Sequence, residues 1–204
     1  LEGHIVSVEI DITNGLHSFS IVGLPDKAVE ESRDRVASAI KNSGFTSPKQ
    51  ENHKTVVSLA PAELRKEGSY FDCAIALGYL LAGHHIEFSP EKKLFVGELS
   101  LNGELQPING VLPIVQTAKK HGFTELFIPE KNALEAALVS DITIYPAKTL
   151  AEIIHHIDES SDERVLIHAQ PATNIPEPVG QSQHDFKYIY GQETAKRGLE
   201  IAAS

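Results

Sequence analysis

Two side chains with nucleophilic atoms lie at the start of one apolar stretch of the sequence. Ser69 precedes this stretch, and Cys73 lies inside it directly after Asp72. A serine or cysteine nucleophile needs a base within hydrogen-bonding distance. No histidine stands beside Cys73 in the sequence, so we interpret Cys73 as a small buried apolar residue. Asp72 opens a helical pattern, which predicts a helix N-cap rather than a catalytic acid.

Two histidine pairs, His84-His85 and His155-His156, raise the question of a metal site. Adjacent residues on a helix do not share a face, and no cysteine or carboxylate motif accompanies either pair. The pattern therefore predicts solvated histidines and no metal site.

Apolar periodicity predicts the elements that position these side chains. Residues 5–12 alternate apolar and polar, which predicts a half-buried strand, and Asn14-Gly15 predicts a hairpin turn into a strand at residues 18–22. Asp26 is the expected N-cap of a helix that ends at Gly44. Further on, the pattern predicts a strand at 54–59, a helix that is apolar all round and therefore central at 72–82, a helix at 132–139, a strand at 141–145 and a helix at 149–157.

Residues 95–132 form the unit around which we expect the chain to be organised. Apolar runs at 94–96 and 104–108 flank Asn102-Gly103, which predicts a β-hairpin. Val111, Leu112, Val115 and Ala118 then recur at helical spacing until His121-Gly122. Glu125-Leu-Phe-Ile reads as a buried strand closed by Pro129.

The order of strands and helices predicts an α+β fold, in the form of an α/β sandwich. Beyond residue 158 the chain is polar and contains Pro171, Pro176 and Pro178, which predicts a linker with a possible edge strand at 164–168. A helix at 193–203 follows. We therefore expect a first domain at 1–158, a linker at 159–184 and the start of another module at 185–204.

Composition narrows the class of protein. The chain has 204 residues, of which 41% are hydrophobic and 23% charged, as in ordinary globular proteins. No apolar run approaches the roughly 20 residues that span a bilayer. A single cysteine excludes an internal disulfide framework and favours the cytoplasm. The chain begins at Leu1 and has no methionine, which we interpret as a fragment of a longer protein.

The formal net charge of −10 argues against a strongly basic nucleic-acid-binding surface across the whole chain. The charge is uneven, however, because residues 26–66 carry eight Lys or Arg against six Asp or Glu. This excess has two interpretations: an ordinary solvated helix face, or a face that approaches phosphates.

The spacing within residues 95–132 resembles the proteolytic domain of the Lon protease family, which uses a serine nucleophile and a lysine base. By that resemblance, Phe71 or Asp72 stands at the serine position, and Leu112 and Ile114 stand at the lysine position. None of these side chains can act as the nucleophile or base of that pair, so the resemblance implies that this chain has no catalytic residues. A residual Lon-like peptidase, with Ser69 nearest in sequence, remains an alternative.

Three stretches resemble a narrower family, the ComM/YifB proteins, which are magnesium-chelatase-like AAA+ ATPases of bacteria. They are Phe19-Ser-Ile-Val-Gly-Leu-Pro-Asp with Glu31-Ser-Arg-Asp-Arg-Val, Leu59-Ala-Pro-Ala-Glu-Leu-Arg-Lys-Glu-Gly with Phe71-Asp72, and the unit at 95–132. The resemblance implies that residues 1–158 are the N-terminal domain, with the Lon-protease-like fold also found in domain 2 of a ribosomal small-subunit protein. It also implies that residues 185–204 are the start of a truncated AAA+ ATPase module.

The family resemblance also implies cofactors and partners for the full-length protein. These are ATP and Mg²⁺, branched DNA moved during recombination in natural transformation, and self-association into a ring, which we expect to be a hexamer. The older family label, magnesium insertion into a porphyrin, is an alternative. The adenine edge is expected at Tyr188, Ile189, Gly191 and Gln192. If this domain contacts DNA, the candidate residues are Arg33, Arg35, Lys41, Lys54, Arg65 and Lys66.

Overall fold

The computed structural model describes residues 3–174 and 186–203. The chain divides into two compact units, Leu1–Thr173 and Asn174–Ser204. Strands of the first unit are β1 (Ser7–Asn14), β2 (Ser18–Val22), β3 (His53–Ala60), β4 (Lys93–Phe95), β5 (Glu98–Leu99), β6 (Leu105–Gln106), β7 (Glu125–Pro129) and β8 (Thr143–Ala147). Its helices are α1 (Lys27–Asn42), α2 (Asp72–Ala82), α3 (Val111–Lys120), α4 (Ala133–Ala136) and α5 (Leu150–Ile157).

The first sheet has the order β1-β3-β2, so the predicted hairpin between β1 and β2 is wrong. β3 lies between them, antiparallel to β1 and parallel to β2. The turn at Asn14-Gly15 reverses the chain but leaves room for β3, and the Gly15 amide donates to the Asn52 carbonyl just before β3. Alternation in the sequence predicted both strands correctly, but it carries no information about which strand pairs with which.

Helix α1 begins and ends where its capping residues predict. The Asp26 carboxylate accepts a hydrogen bond from the Val29 amide at 2.8 Å, and Gly44 follows the helix with a φ of +94°. The apolar stripe of α1, including Val29, Val36 and Ile40, is fully buried. α1 packs against α2, and together they cover one face of the first sheet.

The second sheet has the order β4-β7-β8 and is parallel throughout. The predicted hairpin exists, but its strands are β5 and β6, with Leu99 opposite Leu105. β4, which was predicted to form the hairpin's first strand, pairs instead with β7. Helix α3 connects the hairpin to β7. It buries Val111, Val115 and Ala118, as predicted, whereas Leu112, the fourth residue of the predicted stripe, is only partly buried.

Residues 159–173 belong to the first compact unit, which extends beyond the expected boundary at residue 158. The Val165 amide donates to the His155 carbonyl, and the Gln170 amide donates to the Ile144 carbonyl. No strand is assigned at residues 164–168. The rest of the predicted linker, residues 175–184, lies outside the described residues.

The predicted α+β class is confirmed by these mixed helices and sheets. In the second unit, α6 spans Glu193–Ala203. Within the described residues, no helix has the length and apolar character needed to cross a membrane.

Candidate functional site

The start of α2 is built around the buried carboxylate of Asp72. This carboxylate accepts hydrogen bonds from Arg35 Nε at 2.6 Å, from Arg35 Nη2 at 3.2 Å, from the Leu99 amide at 3.1 Å and from the Ser32 hydroxyl. Its side chain is fully buried, and the network joins α1, α2 and β5. The predicted N-cap role of Asp72 is therefore wrong, because its side chain caps no amide of α2.

The donors around Asp72 define what this carboxylate can do. Both of its oxygens accept hydrogen bonds, and the guanidinium of Arg35 compensates its charge. The bonded carboxylate in turn raises the pKa of Arg35. A buried, paired carboxylate of this kind fixes the relative positions of the elements that it joins. It has no free lone pair directed at a substrate.

Phe71 and Ile114 line the same cleft, although 43 positions separate them in the sequence. The cleft has a volume of about 940 Å³ and lies between the start of β1, helix α2, strand β4 and helix α3. The Lon resemblance matched Phe71 and Ile114 to the nucleophile and the lysine. The structure thus brings together one residue from each matched position. The cleft is mainly apolar at these positions, and neither side chain can transfer a proton.

Ser69 and Lys66 do not form a catalytic pair. The Ser69 hydroxyl donates to the carboxylate of Glu98. The side chain of Lys66 is buried, with 1% of its surface exposed, and its ammonium donates to the Pro61 carbonyl. Activation of a serine by lysine needs the two groups within hydrogen-bonding distance. The structure pairs each of them with a different partner.

Cys73 is fully buried, which confirms its interpretation as a small core residue. Burial raises the pKa of the Cys73 thiol, and the neighbouring Asp72 carboxylate raises it further. Because the thiolate is the nucleophilic form, both effects suppress reactivity.

In each histidine pair one ring is exposed and the other is covered: His156 is buried and His85 is partly buried, so the prediction of solvated histidines holds fully only for His84 and His155. The His85 ring stacks on Tyr79. The His156 ring contacts Phe127 and Tyr145, and its Nδ1 accepts a hydrogen bond from the Ile167 amide at 2.8 Å. Across residues 3–174 and 186–203, no group of three or more His, Cys, Asp or Glu is arranged to hold a metal ion.

Asn132 is a structural residue that the sequence did not reveal. Its amide oxygen accepts from the Ile108 amide at 2.9 Å, and its amide nitrogen donates to the Ile108 carbonyl at 2.9 Å. This pair of bonds holds the segment between β6 and α3. The only sequence signal is that Asn132 closes the unit at 95–132, which does not specify a long-range partner.

The six candidate DNA residues separate into two groups. Lys66 is buried, and Arg35 is bonded to Asp72, so their side chains serve the interior. The other four are exposed: Arg33, Lys41, Lys54 and Arg65. Arg33 lies 3.8 Å from Asp34, and Arg65 lies 3.4 Å from Glu67. Exposed ion pairs of this kind are worth about 0–1 kcal/mol and do not prevent a contact with phosphate.

The expected adenine-edge residues lie in the second unit, just before α6. Tyr188 and Ile189 are exposed, and the backbone at Gly191 and Gln192 has φ values of +71° and +58°. The sequence of residues 1–204 contains no phosphate-binding loop ending in Gly-Lys-Ser or Gly-Lys-Thr. The role of these four residues at an adenine edge stays a prediction.

Comparison with known proteins places this arrangement in a family. Residues 8–132 match the family model described as subunit ChlI of Mg-chelatase. The chain is 39% identical over 207 residues to competence protein ComM of Haemophilus influenzae, an alignment that covers 100% of the chain and 39% of that protein. It is 35% identical over 201 residues to the uncharacterized protein YifB of Salmonella typhimurium, covering 98% of the chain and 38% of YifB.

A weaker similarity extends to Lon protease 2 of Bacillus subtilis, at 28% identity over 76% of the chain and 30% of the protease. The fold is the Lon-protease-like α+β fold. Because the family model covers more than half of the chain, the chain belongs to the ChlI/Mg-chelatase-like family, together with the ComM and YifB proteins. The chain spans about two fifths of the length of these ComM and YifB relatives.

Proposed function

We propose that residues 1–173 form the non-catalytic N-terminal domain of an AAA+ motor that moves branched DNA in the bacterial cytoplasm. The observation that carries the non-catalytic part of this proposal is the shared cleft in which Phe71 and Ile114 stand at the matched serine and lysine positions. The end-to-end similarity to a competence protein supports the link to DNA uptake. ATP and Mg²⁺ would bind the AAA+ module, whose first helix is α6, and the motor would assemble into a ring, with a hexamer as the expected form.

The test uses the full-length protein with a synthetic four-way DNA junction. With ATP and Mg²⁺, the junction is expected to be converted into two duplexes, and omission of ATP should abolish the conversion. A protein that hydrolyses ATP but leaves junctions, forks and displacement loops unchanged would contradict the proposal.

Four exposed residues are the proposed contacts with DNA: Arg33, Lys41, Lys54 and Arg65. Reversing their charge to glutamate should weaken junction binding and flatten its dependence on salt, because each lost phosphate contact reduces the slope by about 0.9. The matched control reverses four exposed lysines outside this set: Lys92, Lys119, Lys120 and Lys131. Equal losses in both variants, or no loss in either, would remove this role from the domain.

A second candidate function is that of a magnesium-chelatase subunit, which the description of the family model favours. It predicts ATP-dependent magnesium insertion into protoporphyrin when the full-length protein is combined with the other chelatase subunits. Porphyrin metallation without junction movement would favour this alternative over the DNA motor.

A further inference from the structure

Two strands bordering the cleft each have one open edge. Among the described residues, β1 pairs only with β3, and β4 pairs only with β7. An open edge presents unpaired amide and carbonyl groups and is a template for a further strand. The open edges of the two sheets therefore border the same cleft.

The pattern of lining residues shows that the strands present their edges to the cleft. Residues 3–9, of which 7–9 belong to β1, and residues 93–96, of which 93–95 belong to β4, line it as unbroken runs. Successive side chains of a strand point to opposite faces, so a single face would contribute only alternate residues. An unbroken run on each side is the arrangement expected where the backbone itself borders the space.

Helix α2 forms the floor of the cleft and is incompletely covered there. It is apolar all round and was predicted to be buried on every side, yet Ala74, Gly78 and Leu81 are only partly buried. Ala74 and Gly78 are four residues apart and share a face of the helix. A Cβ on Gly78 would lie 3.0 Å from the Ile10 side chain of β1, so β1 already packs against Gly78. The partly covered surface that remains on this side of the helix is that of Ala74 and Leu81.

We propose that the cleft holds an additional β strand, contributed by a part of this protein's own polypeptide outside residues 1–204. Its backbone pairs with the open edges of β1 and β4 and joins the two three-stranded sheets into one. Its apolar side chains cover Ala74, Phe71 and Leu81. We expect the added strand to have about five residues and therefore a length of roughly 17 Å.

Two observations favour the protein's own polypeptide as the source of the additional strand. The chain spans 39% of a full-length relative, so a protein of that length has ample further sequence. Residues 3–6 line the cleft, so polypeptide that lies close to this segment is within reach of it. A Cβ on Gly3 would lie 2.5 Å from Thr117 Oγ1, so the chain passes close to α3 at this point.

Thiol labelling tests the proposal, because native Cys73 is fully buried and gives a low background. Ala74→Cys places a thiol on the floor of the cleft, and Leu16→Cys places one at a position 94% exposed. In the isolated chain both thiols should react readily with Ellman's reagent. In the full-length protein the cleft thiol should react at least about tenfold more slowly, and the Leu16→Cys thiol should be unchanged.

Three outcomes would overturn the proposal. They are equal labelling of the cleft thiol in both proteins, protection that disappears on dilution (which would indicate a second copy), and protection that appears only with an added peptide. Hydrogen exchange on the unmodified proteins gives an independent measurement if Ala74→Cys does not fold. Among residues 5–9 and 93–95, the amides that do not already pair with β3 or β7 should then exchange more slowly in the full-length protein than in the isolated chain, and identical exchange of these amides would contradict the added strand.

Discussion

The nucleophile and lysine positions of a Lon-type peptidase are both occupied here by residues that cannot catalyse, but the two regions are stabilised differently. At the start of α2 the anchor is a buried charge, because the Asp72 carboxylate accepts four hydrogen bonds, two of them from Arg35. Before α3 the anchor is a neutral side chain, because Asn132 makes two hydrogen bonds to the backbone of Ile108. A charged anchor joins three elements and tolerates the loss of a partner poorly, whereas a neutral anchor holds a single loop.

The largest effect is expected from Asp72→Ala. This change leaves the guanidinium of Arg35, the Ser32 hydroxyl and the Leu99 amide without their common acceptor. Breaking a buried charge pair costs about 3–5 kcal/mol, and we expect a loss of that size in the free energy of unfolding. Urea unfolding measures it, with Asp34→Ala as the control, because Asp34 forms exposed pairs worth about 1 kcal/mol or less. Equal costs for the two variants would remove the distinction between a buried anchor and a surface pair.

A smaller loss is expected from Asn132→Ala. It leaves the amide and the carbonyl of Ile108 unpaired in a buried place, at a cost of about 1–3 kcal/mol. Asn109→Ala, at an exposed position in the same loop, is the control and should stay within about 0.5 kcal/mol. If Asn132→Ala costs as much as Asp72→Ala, charge is not what separates the two regions.

His156 should make the free energy of unfolding depend on pH, and this effect involves neither Asp72 nor Asn132. Burial lowers the pKa of His156, and Arg164 and Lys93 lower it further, while Glu125 opposes them. The folded state therefore binds fewer protons than the unfolded state, so stability is complete above the unfolded pKa of about 6.5 and falls as the pH drops below it. Protonation of Nδ1 would also remove the acceptor for the Ile167 amide.

Urea unfolding at pH 7.5 and pH 5.5 measures this dependence. The wild-type chain should lose stability at the lower pH, and His156→Gln should lose less. His155→Gln is the matched control, because His155 is exposed on the same helix, and should keep the wild-type dependence. A dependence that persists unchanged in His156→Gln would assign it to other groups.

Local patterns predicted most helices closely, because caps and apolar periodicity are encoded within a few residues. The exception is the helix predicted at 132–139, since α4 spans only Ala133–Ala136. Asp26 and Gly44 mark the limits of α1, and the central helix α2 has its predicted bounds. Strand pairing was predicted less well, since the placement of β3 between β1 and β2 depends on residues more than 30 positions away. The same limitation applies to Asp72 and Asn132, whose partners are distant in the sequence. The shared cleft of Phe71 and Ile114 could be anticipated only through the resemblance to Lon.

The most direct test of the central claim, that the catalytic positions are inert, is labelling with a fluorophosphonate serine probe followed by mass spectrometry. Ser69 is bonded to Glu98 rather than to a lysine, so we predict no adduct at Ser69 and no cleavage of casein, in both the isolated chain and the full-length protein. Ser69→Ala should behave as the wild type does. An adduct on Ser69, together with casein cleavage that Ser69→Ala abolishes, would contradict the account.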